Sequence, residues 1–122
     1  MKEDGALKIL LVEDNEDDVL LIQESFEMTR LPYRLYVVRD GAEAMNFLRL
    51  QGRHKEAARP HIVLLDINMP IKDGFEVLMD IKADSSLRGL PVVILTTSDR
   101  EADIVRAFEE GAASYITKPA MF

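Results

Sequence analysis

Short apolar runs alternate along the chain with stretches in which apolar residues return every third or fourth position. The run "LKILLV" (7–12) stops at Glu13 and Asp14. In "NEDDVLLIQESFEM", Val19, Ile22 and Phe26 share a helical face, with Asn15 or Asp17 as the starting cap. "RLYVVRD" (34–40) is β-branched and aromatic, the composition of a strand. "DGAEAMNFLRL" puts Ala44, Phe47 and Leu48 on one face and sets Asp40 and Glu43 at capping-box spacing. The charged, aperiodic "QGRHKEAARP" predicts a solvated loop. "HIVLLD" (61–66) reads as a buried strand, and "GFEVLMDIKAD" as a helix with Val77, Leu78 and Ile81 inward. "LPVVILTTS" is the most strongly buried strand. "SDREADIVRAFEEGA" predicts a helix opened by a Ser98–Glu101 capping box and closed by Gly111. "ASYITKP" supplies a last strand.

The order is therefore βαβαβαβαβ. Continuous apolar strands alternating with amphipathic helices imply a parallel sheet covered on both faces, and right-handed crossovers make it doubly wound. At 122 residues, with 48% hydrophobic content and neither repeat nor linker, the chain predicts one α/β domain. Without cysteine, disulfides, thiol catalysis and thiolate metal sites are excluded. A formal net charge of −7 argues against nucleic-acid binding as the main role. No apolar run approaches membrane-spanning length, and the N-terminal "MKEDGALK" lacks a signal-like apolar core, so a cytoplasmic location without a membrane partner is expected.

Candidate chemistry lies at the strand ends. In an open α/β sheet, sites form outside the carboxyl ends of the strands. Here those ends carry Glu13 and Asp14, Asp66, Thr96 and Thr97, and Lys118. One acid at a strand end is ordinarily a helix cap or a solvated turn. If the first and third strands are neighbours, however, three carboxylates converge, and either a pKa rises or a cation enters. Oxygen donors without His or Cys suit Mg²⁺.

"LLVEDNEDD", "VLLDINMPIKDG", "PVVILTTSD" and "GAASYITKP" together resemble the receiver domain of two-component response regulators, in order and over nearly the whole chain. The separations match the family pattern: 30 residues from Asp66 to Thr96 and 22 from Thr96 to Lys118. Within the family the chain is similar to the small single-domain branch associated with bacterial phytochrome kinases. The resemblance implies a flavodoxin-like, five-stranded sheet of order 2-1-3-4-5. It implies that Asp66 is the phosphoacceptor. Asp14, Asp66 and the Asn68 backbone carbonyl would bind Mg²⁺, with Glu13 acting through water. Lys118 would meet the phosphoryl oxygens, and Thr96 and Tyr115 would form the switch. Asn68 and Ser98 would tune hydrolysis, and a sensor histidine kinase would be the partner. It also implies a cis Lys118–Pro119 bond.

Two rival chemistries share parts of this pattern. A HAD-type phosphatase also uses a strand-end aspartate, Mg²⁺ and a lysine, but its general acid normally stands where this chain has Asn68. A Toprim-type nucleotidyl-transfer domain needs a second acid at that same position. One departure from the receiver pattern concerns the end of the sequence. With only "PAMF" after Lys118, the domain (1–122) is expected to have its fifth helix missing or truncated. Strands "KILLV" and "YIT" would then expose apolar side chains, with a homodimer on strands four and five as one way to cover them.

Overall fold

Each apolar run forms a strand of one parallel sheet in the computed structural model, which describes residues 5–69 and 71–118. The strands β1 (Leu7–Val12), β2 (Tyr33–Val38), β3 (Ile62–Leu65), β4 (Val92–Thr96) and β5 (Ser114–Thr117) lie in the order β2-β1-β3-β4-β5. Every neighbouring pair is parallel. Helices α1 (Glu16–Glu27), α2 (Gly41–Leu48), α3 (Gly74–Ala83) and α4 (Glu101–Glu109) make the crossovers. The predicted loop after α2 contains one 3₁₀ turn, Gly52–His54.

Strand alternation divides the core between the two faces of the sheet. Leu10, Val12, Val63, Leu65 and Ile94 pack with Ala44, Phe47 and Leu48 of α2 and Val77, Leu78 and Ile81 of α3. Leu11 and Leu95 pack on the other face with Val19 and Ile22 of α1. Each fully buried aliphatic side chain contributes roughly 1.5–3 kcal/mol, so a one-residue slip of a central strand is strongly disfavoured. That locked register fixes the level at which each strand ends, and hence the site.

Local signals set the helix starts. Asn15 Oδ1 accepts the Asp18 N–H at 3.1 Å, and Asp40 Oδ1 accepts that of Glu43 at 2.7 Å. Asp73 and Glu76 form a complete capping box, which the sequence reading passed over. The predicted Ser98–Glu101 box does not form. Arg100 is the N-cap of α4, without a side-chain capping bond, and the Ser98 hydroxyl instead donates to Asp103 at 2.6 Å. The helix starts at Glu101, which is therefore its first residue and not its third, and the Ser98 oxygen accepts only the Arg100 N–H, at 3.4 Å. Gly111, at φ +100, closes α4 as predicted.

The expectation of uncovered side chains on β1 is corrected: Ile9 to Val12 are all buried, Leu11 against Val19 and Ile22 of α1 and Leu10 and Val12 in the core of the other face. On β5, Ile116 does stand 39% exposed. The Lys118–Pro119 bond and the segment where the fifth helix was expected to be missing lie outside the described residues. Among the described residues, no helix is long and apolar enough to cross a membrane.

Candidate functional site

The strand registers carry the acids to one place. Val12 pairs with Leu65, so Glu13 and Asp66 leave neighbouring strands at the same level. Their amides continue the ladder: Asp66 N–H donates to the Val12 carbonyl at 3.1 Å, and Glu13 N–H to that of Val38 at 3.0 Å. Thr96 pairs with Thr117, which places Lys118 one step beyond, at the same edge. Gly74 lets the chain after β3 fold back over Asp66. A Cβ there would lie 2.3 Å from the Asp66 carbonyl oxygen and 2.6 Å from Ile67 Cα.

Glu13, Asp14, Asn15, Asp18, Asp66, Asn68, Thr97 and Lys118 line a cleft of about 420 Å³ at this edge. Glu13, Asp66, Thr96 and Lys118 are the buried polar residues of the described chain, and Asp14 is exposed. Lys118 Nζ lies 2.5 Å from Glu13 Oε1, 2.7 Å from Asp18 Oδ2 and 3.3 Å from Asp66 Oδ2. Burial by itself lowers the pKa of this ammonium. The bonds to Asp18 and Glu13 and the charge of Asp66 outweigh that and raise it, so Lys118 stays charged.

Glu13 responds in the opposite sense. Burial raises its carboxyl most, Lys118 opposes that and the Asp66 charge adds to it, and the balance lifts it from the ordinary 4.5 to about 7. The unfolded chain loses this proton near 4.5 and the folded one near 7, so between those values the native state binds more protons. Stability from this group therefore falls as pH rises through the window. Metal-free protein should melt higher at about pH 5 than at about pH 8, with Glu13→Gln removing part of the slope. Thermal melts in EDTA across that range check this, and an unchanged slope in the Gln variant would contradict it.

One oxygen from each of Glu13, Asp14 and Asp66 falls within 4.8 Å of the others. This all-oxygen set suits a hard divalent cation. Glu13 Oε1 improves the fit, since it is buried and, among the described residues, has only the Lys118 ammonium, 2.5 Å away, as a partner.

Of the remaining predicted residues, Asn68 lines the cleft, and Thr96, Ser98 and Tyr115 do not but are joined to it. Asn68 N–H donates to Asp66 Oδ1 at 3.0 Å, and Asn68 Nδ2 to Thr96 Oγ1 at 3.3 Å. Thr96 Oγ1 also accepts the Ser98 N–H at 3.4 Å, and the Tyr115 hydroxyl donates to the Ser98 carbonyl at 2.8 Å. The longer of these are weak bonds, yet they make a continuous path from Asp66 to Tyr115. Tyr115 is half-buried against the main core. The residue missed from sequence is Asp18. The signal for it was faint, since "EDNEDD" offers five acids and only the docking of α1 singles one out.

Residues 9–122 match the family model described as the response regulator receiver domain. Response regulator Rcp1 of Synechocystis sp. is 44% identical over 110 residues, covering 90% of this chain and 75% of that protein. The probable methanogenesis regulatory protein FilR2 of Methanothrix harundinacea is 44% identical over 116 residues, covering 93% of this chain and 73% of that protein. The crystal structure of the phosphorylated cyanobacterial phytochrome response regulator RcpA superposes with a TM-score of 0.88 at 48% identity, covering 93% of this chain and 81% of that one. That of the Mn²⁺-bound form of Rcp1 also superposes at 0.88, with 44% identity over 92% of this chain and 81% of that one. These similarities leave the phosphatase reading without support. Its sequence motifs, strand order and strand-end acids all agree with the family match, and the chain belongs to the response regulator receiver domains, phosphoacceptor signalling domains of two-component systems.

Proposed function

We propose that Asp66 accepts a phosphoryl group from the phosphohistidine of a sensor histidine kinase. The observation that carries this is the buried Asp66 carboxylate at the end of central strand β3, beside the buried Lys118 ammonium and open to the cleft. An Asp66 oxygen attacks phosphorus, the P–N bond breaks, and the imidazole leaves with the electron pair. Such transfer depends on in-line positioning and on neutralising charge as it moves onto the phosphoryl oxygens. Asn68 N–H holds one Asp66 oxygen and so orients the other, and Lys118 brings its positive charge to the transferred group. Mg²⁺, held by Asp14, Asp66 and the Asn68 backbone carbonyl with help from Glu13, supplies further neutralisation when bound. The all-oxygen donor set and the Mn²⁺-bound Rcp1 structure both support a divalent ion there.

The acyl phosphate carries roughly two negative charges where the Asp66 carboxylate carried one. Thr96 is drawn toward them, and the bonded path through Ser98 transmits the shift to Tyr115, favouring its inward position on the Ser98 carbonyl. A partner then reads α4, β5 and the loop between them, where Val105, Phe108 and Ile116 are exposed. Asn68 and Ser98, which flank Asp66 and Thr96, tune hydrolysis of the acyl phosphate. RcpA and the bacteriophytochrome response regulator RtBRR, 39% identical with a TM-score of 0.84, support a phytochrome-type kinase as donor. A single receiver domain over 1–122, a cytoplasmic setting and a homodimer over the β4–β5 region belong to the same proposal.

Intact mass after incubation with acetyl phosphate and Mg²⁺ tests the reading; one phosphoryl adduct is expected. Steady release of phosphate from a generic ester with no adduct would overturn it. Mg²⁺ should also raise the Tm, because the ion binds only the folded cluster. About 100-fold excess over Kd corresponds to roughly 2.7 kcal/mol. Asp14→Ala should remove most of the rise, whereas an equal rise in that variant would mean non-specific ionic stabilisation.

A further inference from the structure

Lys118 is shared by three carboxylates, two of which belong to the metal cluster. The third, Asp18, sits in the first turn of α1, 100 positions from Lys118 in the chain. As the third helical residue after the Asn15 cap, it stands where an acidic side chain ordinarily reaches back to the cap's own N–H. Here that N–H is already taken, since Asn15 N–H donates to Glu13 Oε2 at 3.2 Å. Asp18 is thus released from its local bond, and its carboxylate turns across the cleft to Lys118 at 2.7 Å, closer than Asp66 at 3.3 Å. Asn15 meanwhile holds the Asp18 backbone through its side-chain oxygen. Asp18 keeps only about a fifth of its side-chain surface exposed, so its bond to Lys118 is partly shielded from water.

We propose that Asp18 is a positioning residue: it holds the Lys118 ammonium at the cleft when a divalent cation draws the carboxylates of Glu13 and Asp66 to itself. In the metal-free state Lys118 pairs with all three acids. On cation binding the ammonium must shift away from two of them, or its positive charge opposes the incoming one. Asp18 is the carboxylate it can shift to without leaving the site, and from there it still reaches the phosphoryl oxygens. The bond also ties the start of α1 to the end of β5. This inference rests on the metal and phosphoacceptor assignments above, yet cation binding reads it out whether or not Asp66 is ever phosphorylated.

The test is calorimetric titration of the full chain with Mg²⁺ alone, comparing Asp18→Asn with Asp17→Asn. Both substitutions remove one charge from the same helical turn and keep the side chain's shape, but only Asp18 contacts Lys118. Asp18→Asn should weaken Mg²⁺ roughly 5- to 10-fold and Asp17→Asn less than about twofold. In a Lys118→Met background the Asp18→Asn loss should shrink to about that of the Asp17 control, because no ammonium remains to be relocated. The acetyl phosphate rate should fall with Asp18→Asn as well, while far-UV circular dichroism stays unchanged. Equal weakening by the two Asn variants would overturn the proposal by reducing it to general charge loss, and so would no weakening by either. Should Lys118→Met fail to fold, the Asp17 comparison decides by itself. Mg²⁺ binding that tracks Asp18 with no phosphoryl adduct on any carboxylate would retain the tether and defeat the phosphoacceptor reading instead.

Discussion

Asp66→Asn protein incubated with acetyl phosphate and Mg²⁺ should keep its unmodified mass, while the unsubstituted chain gains one phosphoryl group. The amide oxygen of asparagine still accepts the Asn68 N–H that Asp66 holds at 3.0 Å, so the loop over the site keeps its anchor. What disappears is the anionic nucleophile; a neutral amide oxygen does not displace a leaving group at phosphorus under these conditions. The loss should therefore be complete, down to background. The fold should be intact or slightly stabilised in the metal-free state, because one of three crowded carboxylates has lost its charge. Intact mass, peptide mapping and a thermal melt check the two halves separately. An adduct that persists at another carboxylate would displace Asp66 from its assigned role.

Lys118→Met has the second large expected effect, this time on folding. The ammonium is almost fully buried and sits against the carboxylates of Glu13, Asp18 and Asp66. Removing it leaves buried negative charge without a partner, a change that typically destabilises by roughly 3–5 kcal/mol. Urea unfolding in EDTA reads this, and Mg²⁺ should restore part of the loss by standing in for the missing charge. Two features limit the damage: Glu13 already takes up a proton near neutrality, and Asp18 lies at the cleft's edge with access to water. A loss below about 1 kcal/mol would mean that protonation alone relieves the cluster.

Much of this molecule can be read one segment at a time. Helix caps at Asn15 and Asp40, the Gly111 stop and the apolar faces of α2 and α3 depend on residues within a few positions of each other. The runs at 7–12, 62–65 and 92–96 are apolar on both faces, which only a sheet covered from both sides accommodates. Residue type and order at the strand ends likewise pointed to Glu13, Asp14, Asp66 and Lys118, because an α/β sheet gathers its chemistry at one edge.

Other features required the packed molecule. The Ser98–Glu101 box looked sound locally, but α4 starts two residues later than it requires, with Arg100 as its cap, and the Ser98 hydroxyl donates to Asp103 of the first turn. The covering of Leu11 on β1 followed from the packing of α1 on the sheet, which no pattern of residue types contains. The bond between Asp18 and Lys118 joins residues 100 positions apart, and several acids in "EDNEDD" were equivalent until α1 was laid on the sheet. Hydrophobic periodicity and capping are short-range and act on each segment separately, so they are written in the order of residues. The choice among equivalent charges is made by distance and desolvation at a contact between remote segments, and it exists only once the chain has folded.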